Sequence, residues 1–293
     1  MRYNFNFNII GKRKWWYAIS LLIIIPGIIS LFIQGLNLGI DFTGGNLMEV
    51  RFTQEVNSDQ VRSIFSQYVK GAFSIQETGA NDFLIQTGEI SEKANNDIRT
   101  ALTADLGKNE VLRNEHVGPV VGRELTSNAL WALLVATVLM LIYITIRFEF
   151  TFGVAAVLAL LHDVLVLLGA ASLLRFEVDS SFVAVVLTIY GYSIMDTIVI
   201  FDRIRENVRK GKRGTELEGL VNTSIMQTLA RSINTVLTVV CMLVALLLFG
   251  GDTTKIFSLA LLIGVLTGCY SSICVASPLW LDVNRLEKRT KLA

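Results

Sequence analysis

Six long apolar runs constrain this chain more than any other feature of its sequence. A helix needs about 20 apolar residues to cross the roughly 30 Å hydrocarbon core of a membrane, and each run has close to that length. The predicted spans are residues 15–34, 128–146, 152–174, 181–203, 228–249 and 256–280. Because 52% of the residues are apolar and only 17% are charged, the composition also favours a multi-pass membrane protein.

The first span follows Lys12-Arg13-Lys14, so a cleaved signal peptide is the competing interpretation. Its apolar run, from Trp15 to Ile33, is too long for the core of a signal peptide, and no small-residue cleavage site ends it. We therefore expect a retained helix. Basic residues cluster before the first span and after the fourth, which predicts that both termini are cytoplasmic. On this division, residues 1–34 hold the N-terminus and first span, and residues 281–293 form a cytoplasmic tail.

Residues 35–127 are mixed in polarity and are predicted to form a small extracytoplasmic domain. Alternating residues around Met48, Val50 and Phe52 indicate a half-buried strand. Helix starts are expected at Asn57 and Ser91, strands near 72–77, 82–87 and 110–117, and a turn at 79–82. The resulting β-α-β-β-α-β order is typical of a ferredoxin-like α+β domain, inserted into the all-α membrane bundle of residues 128–280.

The sequence contains no pattern that indicates enzymatic chemistry. No phosphate-binding loop, zinc-protease motif, nucleophile elbow or Cys-x-x-Cys pair is present. The three cysteines lie in apolar runs, and His116 has no evident ligand partner, so no metal site or cofactor is predicted. The basic residues flank the spans, which gives no indication of nucleic-acid binding. If the protein performs work, we expect the energy to come from another source, such as the membrane potential.

Polar and charged residues inside the spans are the candidate functional residues, because a charge at mid-bilayer costs about 2.5–3.5 kcal/mol on insertion scales. His162 and Asp163 in the third span could form a proton relay or a packing network. Asp196 in the fourth span is the main candidate for binding an ion. Asp202 is interpreted as a solvated residue at the inner end of that span. Secondary candidates are Tyr192, Thr197 and Asn234. Gly264, Gly268 and Ser272 form a small-residue stripe typical of close helix packing.

Arg231, near the inner end of the fifth span, is a conditional partner for Asp196. Side chains tilt toward the N-terminus of their own helix, and these two helices are predicted to run antiparallel, so the two side chains tilt apart. A water-mediated or shifting contact is therefore favoured over a rigid salt bridge. The alternative is that Arg231 extends to the lipid headgroups.

Several motifs together resemble the SecD/SecF family of bacterial protein-export membrane proteins, on the SecF side, over nearly the whole chain. Each motif alone is weak, but their order on this topology is specific. The motifs are Gly39-Ile40-Asp41-Phe42-Thr43-Gly44-Gly45, Val117 through Leu125, His162-Asp163, Gly191 through Asn207, and Leu248-Phe249-Gly250-Gly251.

The resemblance implies one half of an RND-type transporter in the bacterial plasma membrane. It implies pairing with SecD, association with SecYEG, SecA and YajC, contact with unfolded preprotein at the outer face, and use of the proton-motive force for late steps of export. The family's key carboxylate falls on Asp196 and its key arginine on Arg231. Asparagine commonly precedes that carboxylate, whereas Met195 stands here, so proton and sodium both remain open as the coupling ion.

Two alternatives stay open beside an ion-driven export subunit. A passive scaffold would use its membrane charges only for assembly with the translocon. Half of an RND-like small-molecule exporter would need a substrate pocket, which an outer domain of this size does not readily enclose alone. Stoichiometry with SecD and contact of the outer domain with preprotein are not determined by the sequence.

Overall fold

The structure of the chain, a computed structural model, describes residues 7–71, 73–79, 81–211 and 216–290. The extreme ends of the predicted terminal segments, and position 80 of the predicted turn, lie outside the described residues. The chain divides into two compact units. One unit is Leu38–Leu130, and the other consists of the residues before and after it.

The elements follow one another along the chain in a helical, then mixed, then helical order. They are α1 (Arg13–Gln34), β1 (Asn37–Leu38), α2 (Ile40–Thr43), β2 (Gly45–Phe52), α3 (Ser58–Tyr68), β3 (Phe73–Glu77), β4 (Asp82–Thr87), α4 (Glu92–Leu106), β5 (Asn109–Val117), α5 (Pro119–Arg147), α6 (Phe150–Leu174), β6 (Glu177–Val178), α7 (Ser180–Lys210), α8 (Leu217–Phe249), α9 (Asp252–Ser271) and α10 (Ser277–Thr290). A 3₁₀ turn, Ile10–Lys12, precedes α1.

Six helical segments in the described part of the chain are long and apolar enough to cross a membrane. They are α1, α5, α6, α7, α8 and the continuous run of α9 and α10. Several extend beyond the predicted spans. Helix α5 begins at Pro119 rather than at 128, since proline fits the first position of a helix, where no N–H is required. Helix α8 begins at Leu217 rather than at 228, because its first turns are too polar for hydropathy to include.

The sixth span differs most from the sequence prediction, which treated 256–280 as one regular helix. A π-helical segment, Ser272–Ala276, joins α9 to α10. The Ser277 hydroxyl donates to the Ser272 carbonyl oxygen at 3.2 Å, which gives a partner to a carbonyl in the widened turn. Helix α10 continues to Thr290, so the helix of the sixth span extends into residues 281–290, and their predicted place in a cytoplasmic tail stays a prediction.

Helices α6 and α9 form the centre of the helical unit, and glycine contacts bring their neighbours close. A Cβ atom added to Gly27 of α1 would lie 2.7 Å from the Cα atom of Gly169 on α6, so both positions require glycine at this crossing. On the sixth span, Gly264 lies against Ile189 of α7, and Gly268 lies against Ser193. Helix α5 packs much less closely than these helices, since only 6% of its apolar stretch is buried.

The unit Leu38–Leu130 contains a four-stranded antiparallel sheet in the order β3-β4-β2-β5. The apolar faces of α3 and α4 share one core with the sheet. The core residues are Met48, Val50, Phe52, Val61, Ile64, Phe65, Val69, Phe83, Ile85, Ile98, Leu102 and Leu106. Both predicted helix starts are confirmed, since Asn57 caps α3 in a capping box and the Ser91 hydroxyl accepts from the Ala94 amide.

Two glycines at the start of β2 occupy conformations that favour glycine. Gly44 and Gly45 have φ values of +73° and +123°. A Cβ atom on Gly45 would overlap the carbonyl oxygen of Thr87 on the neighbouring strand β4, and one on Gly44 would lie 3.1 Å from the Cα atom of Pro119. The backbone conformation and the lack of space therefore both exclude a side chain at Gly45.

Candidate functional site

Asp196 is buried on α7 and faces α8. Asp196 is only 9% exposed to solvent. The Ser232 hydroxyl of α8 donates a hydrogen bond of 2.5 Å to the Oδ1 atom of Asp196. The Oδ2 atom is buried and has no hydrogen-bond partner among the described residues. Because a buried carboxylate oxygen without a partner is costly, Oδ2 marks a place where a proton or a cation can bind.

Arg231 does not form an ion pair with Asp196 in this structure. Its side chain is exposed, and within the described residues its guanidinium has no hydrogen-bond or ion-pair partner, although it is near enough to interact electrostatically with Asp196. Successive residues of an α-helix are rotated by about 100°, since one turn takes about 3.6 residues. Ser232 points into the bundle and is fully buried, so Arg231 must point along the flank of α8. The predicted water-mediated contact therefore remains a prediction, and the direct neighbour of Asp196 is a serine.

The secondary candidates fall into a buried and an exposed group. Thr197 is buried, and its hydroxyl lies 2.8 Å from that of Ser272 in the π-helical segment. The Tyr192 hydroxyl donates to the Thr235 carbonyl oxygen of α8 at 3.0 Å. Asn234 on α8 is exposed. Thr197 and Tyr192 thus connect α7 to the sixth and fifth spans on either side of Asp196.

Asp163 on α6 is fully buried at the centre of a second polar cluster. Its Oδ2 atom accepts hydrogen bonds from the hydroxyls of Ser193 at 2.7 Å and Ser271 at 2.8 Å. Its Oδ1 atom lies 3.0 Å from the Nδ1 atom of His162. The Ser271 hydroxyl also lies 3.1 Å from the Gly268 carbonyl oxygen. Asp163 therefore has partners for both of its oxygens, in contrast to Asp196.

His162 extends this cluster to the first span. Its Nε2 atom lies 3.0 Å from the hydroxyl of Ser20 on α1, which in turn lies 3.1 Å from the hydroxyl of Tyr270 on α9. Tyr270 donates to the carbonyl oxygen of Trp16 at 2.7 Å. The two adjacent residues predicted as a relay are thus joined through side chains to α1, α7 and α9.

Asp202 lies near the end of α7 and is exposed. Its Oδ1 atom is 4.0 Å from the Nη2 atom of Arg147, whereas the neighbouring Arg203 pairs with Glu206. An exposed carboxylate at this distance from an arginine makes a weak interaction. Its environment is therefore very different from that of Asp196.

Sequence reasoning did not single out the hydroxyl partners of the two buried carboxylates. These partners are Ser193 and Ser271 for Asp163 and Ser232 for Asp196; Ser20 and Tyr270, which extend the cluster from His162, were also not singled out. Serine is common in membrane helices, where it often bonds to its own backbone, so its presence alone carries little information. The one sequence feature that could have identified these residues is that each places a hydroxyl group inside an apolar run. Which of them faces a carboxylate depends on how the helices pack.

His116 and the possibility of a metal site can be assessed from the described residues. The Nδ1 atom of His116 lies 2.9 Å from the side-chain oxygen of Asn46 on the neighbouring strand β2. No group of three or more histidine, cysteine, aspartate or glutamate side chains in the described ranges is arranged to hold a metal ion.

Two family models match the chain. Residues 98–286 match the model described as protein export membrane protein SecD/SecF, C-terminal, and residues 29–56 match the SecD/SecF GG motif. The second match includes Gly44 and Gly45, whose positive φ values and close contacts explain why two glycines are needed there.

Curated relatives match over nearly the whole chain. A protein translocase subunit SecF from Acidaminococcus fermentans is 44% identical, covering 97% of this chain and 99% of the relative. One from Sebaldella termitidis is 43% identical, covering 95% of this chain and 92% of the relative. A protein translocase subunit SecDF from Bacillus subtilis is 40% identical over 92% of this chain, but the match covers only 37% of that longer protein.

Solved structures show the same similarity. A crystal structure of SecDF, a translocon-associated membrane protein from Thermus thermophilus, matches with a TM-score of 0.89 and 36% identity. The match covers 96% of this chain and 39% of that one, so this chain spans about two fifths of the solved protein. A SecDF structure in a super-membrane-facing form matches with a TM-score of 0.73. The chain is therefore a multi-pass membrane protein that belongs to the SecD/SecF family of protein-export membrane proteins.

Proposed function

We propose that this protein is the SecF-type subunit of the accessory complex of the Sec translocase, in which Asp196 takes up and releases the ion that drives late steps of preprotein export. The similarity to translocase subunits named SecF supports the place in the Sec pathway. The geometry of Asp196 supports the mechanism, and the use of the proton-motive force follows from combining the two.

The single observation that carries the mechanism is the unequal environment of the two Asp196 oxygens. Oδ1 accepts a hydrogen bond from Ser232, whereas the buried Oδ2 has no partner among the described residues. Oδ2 can therefore bind one proton, and binding it removes a buried charge that Ser232 and the electrostatic interaction with Arg231 compensate only in part. Release of the proton requires a new counter-charge or water, so ion movement is coupled to a change in the surroundings.

A proton fits this site better than a sodium ion. A metal cation takes several oxygen ligands, whereas among the described side chains the Asp196 carboxyl is hydrogen-bonded only by the Ser232 hydroxyl. A proton needs a single lone pair. Met195 adds no oxygen ligand next to Asp196, and its side chain is exposed.

SecD is the proposed partner. In the SecDF relatives this sequence corresponds to about two fifths of a longer chain, which supports a SecD-type half as its companion. Arg231, Asn234 and Met195 are exposed in the isolated chain, beside the buried Asp196. A companion helix packed on this side would bring its own groups next to Arg231 and give that arginine a counter-charge.

The remaining parts of the proposal follow the family resemblance. The helical unit is one half of an RND-type transporter in the bacterial plasma membrane, with both termini cytoplasmic and Leu38–Leu130 on the outer side. The antiparallel sheet order supports a ferredoxin-like classification of that outer unit. SecYEG, SecA and YajC are the proposed larger assembly, and unfolded preprotein is the proposed substrate.

The decisive experiment compares Asp196→Asn with Asp202→Asn in vesicles that contain the translocon and the SecD-type partner. Both residues are carboxylates on α7, but only Asp196 is buried. We expect Asp196→Asn to abolish the stimulation of preprotein export by a proton gradient, and Asp202→Asn to retain it. Replacement of the proton gradient by a sodium gradient identifies the ion.

Assembly must be measured on the same samples, because a passive scaffold makes a different prediction. If the membrane charges only hold the complex together, Asp196→Asn should reduce the amount of SecD-type partner that co-purifies. Normal export by an assembled Asp196→Asn complex would exclude the proposed role of Asp196. Export of small molecules in place of preprotein would favour the exporter alternative.

A further inference from the structure

The hydrogen bonds that join His162 to the first span have a direction that the heavy atoms determine. The Trp16 carbonyl oxygen can only accept, so the Tyr270 hydroxyl must donate to it at 2.7 Å. A tyrosine hydroxyl carries one hydrogen. Once that hydrogen is used, Tyr270 can take part in its 3.1 Å contact with Ser20 only as an acceptor.

The same reasoning then determines the hydrogen on His162. If Ser20 donates its one hydrogen to Tyr270, its oxygen must accept in the 3.0 Å contact with the Nε2 atom of His162. Nε2 therefore carries a hydrogen. In the opposite assignment Ser20 would donate to Nε2, and the Ser20 and Tyr270 oxygens would face each other at 3.1 Å with no hydrogen between them.

A second hydrogen lies on the other side of the imidazole ring. The Nδ1 atom of His162 and the Oδ1 atom of Asp163 are 3.0 Å apart, and a hydrogen bond there needs one proton on either atom. The Oδ2 atom of Asp163 accepts from Ser193 and Ser271 in both cases. With a hydrogen already on Nε2, the pair is either an imidazolium beside a carboxylate or a neutral imidazole beside a carboxylic acid.

We propose that His162 and Asp163 form a second proton-binding site, separate from Asp196, whose loaded state ties the first span to the sixth. Loaded, the pair holds one hydrogen on Nε2 and one shared between Nδ1 and Oδ1. Loss of one of these protons leaves Nε2 as an acceptor. The Ser20 hydroxyl then turns to donate to Nε2, and the hydrogen bond from Ser20 on α1 to Tyr270 on α9 is lost.

The environment of the pair suits the storage of a proton. Asp163 is fully buried, and Ser20 and His162 are 6% and 7% exposed, so bulk water has little access. Within the described part of the chain, His162 is the only ionisable side chain hydrogen-bonded to Asp163. A buried ionised aspartate without that partner would be costly, which favours keeping a proton on the pair.

Titratable groups on the neighbouring helices complete this environment. The Tyr270 ring lies beside the His162 ring, with centroids 5.9 Å apart. On α7, Asp196 follows Ser193 by about one turn but faces Ser232 of α8. On α1, Tyr17 donates to Asp282 of α10, which also pairs with Arg13. Cys274 of the π-helical segment is buried close by.

The chain offers a direct test, because it contains only two histidines, His116 and His162. In a His116→Gln protein, isotope-labelled histidine reports on His162 alone. Solid-state NMR of the full-length protein in lipid vesicles at neutral pH then shows which ring nitrogens carry hydrogen. We expect a hydrogen on Nε2. A neutral ring that keeps its only hydrogen on Nδ1 even when the pH is lowered would overturn the proposal, because the pair would then never reach its loaded state.

Two matched variants extend the test in the same background. Tyr270→Phe removes the hydroxyl that accepts from Ser20, so Ser20 is free to donate to Nε2, and we expect the ring to lose its Nε2 hydrogen. Tyr17→Phe removes a hydroxyl one turn away on α1 that bonds to Asp282 instead, and should leave the ring unchanged. Equal spectra of Tyr270→Phe and the parent would contradict the coupling to the sixth span.

Separation from the proposed role of Asp196 is tested with Asp196→Asn, again in the His116→Gln protein. We expect the His162 spectrum to stay the same, because no contact joins Asp196 to His162 or Asp163 in the described network. A changed protonation state of His162 would show that the two carboxylates form one coupled site. Because this readout needs no transport, it remains informative even if Asp196 has no role in export.

Discussion

Asp196 on α7 accepts a hydrogen bond of 2.5 Å from the hydroxyl of Ser232, the residue that directly follows Arg231 on α8. The rotation between successive helical residues turns Ser232 into the bundle and Arg231 away from it. The charge that the sequence points to as the partner of Asp196 therefore acts on it electrostatically, without a hydrogen bond or an ion pair.

Ser232→Ala should impair ion coupling without disrupting the fold. A hydrogen bond to a charged group contributes about 1.5–3 kcal/mol, so its loss should slow ion release and reduce gradient-driven export by roughly an order of magnitude. Thr238→Ala, which removes an exposed hydroxyl bonded within α8, is the control and should export normally. Equal export by both variants would contradict the contribution of Ser232.

Arg231→Met should leave the isolated chain as stable as the parent. Since the guanidinium is exposed and forms no hydrogen bond or ion pair among the described residues, we expect a change in unfolding free energy within about 0.5 kcal/mol. Gradient-driven export by the assembled complex should be lost. A marked loss of thermal stability in the purified chain would show instead that Arg231 contributes to the fold of this subunit.

Gly45→Ala should destabilise the unit Leu38–Leu130. The positive φ alone costs about 1–2 kcal/mol for a residue with a Cβ atom, and the overlap with the Thr87 carbonyl adds to that cost. Gly88→Ala is the matched control, because a Cβ atom there meets nothing within 4 Å. Limited proteolysis of the full chain should cut Gly45→Ala faster, and Gly88→Ala at the rate of the parent.

Gly169→Ala should loosen the contact between α1 and α6. Its new Cβ atom would lie 2.8 Å from the Cα atom of Gly27, so the helices must separate. Core overpacking of this kind costs about 1–3 kcal/mol. Gly219→Ala adds a methyl group to α8 where nothing lies within 4 Å. Thermal unfolding in detergent should show a lower midpoint for the first variant only.

The Arg51–Asp82 ion pair should make the sheet sensitive to acid. Arg51 donates to both Asp82 oxygens, at 2.8 and 2.7 Å, and these hydrogen bonds lower the pKa of Asp82 below its usual value. A lowered pKa adds stability that is fully present above the unfolded value of about 3.9 and is lost as pH falls through the folded value.

Hydrogen exchange of the full chain measures this effect on the strands. Arg51 is half exposed, so the contribution should be small, about 0.2–1 kcal/mol. Amides of β2 and β4 should lose protection at acid pH in the parent and show less pH dependence in Asp82→Asn. The same acid-dependent loss in both proteins would assign the effect to another group.

The sequence by itself determined the number of spans and the position of the mixed α+β unit. Each of these depends on local composition or periodicity, since burying a helix in lipid requires a continuous apolar run. Asn57 and Ser91 were identifiable as helix caps for the same reason, because capping is a contact between residues close in sequence.

Only the tertiary structure decided which polar groups meet. The pairing of Asp196 with Ser232, and of Asp163 with Ser193 and Ser271, depends on the rotation and depth of helices that are far apart in sequence. The π-helical segment after Ser271 shifts the helical phase in a way that no apolar pattern revealed. Burial left one oxygen of Asp196 without a partner and gave partners to both oxygens of Asp163, and that difference follows from packing rather than from residue type.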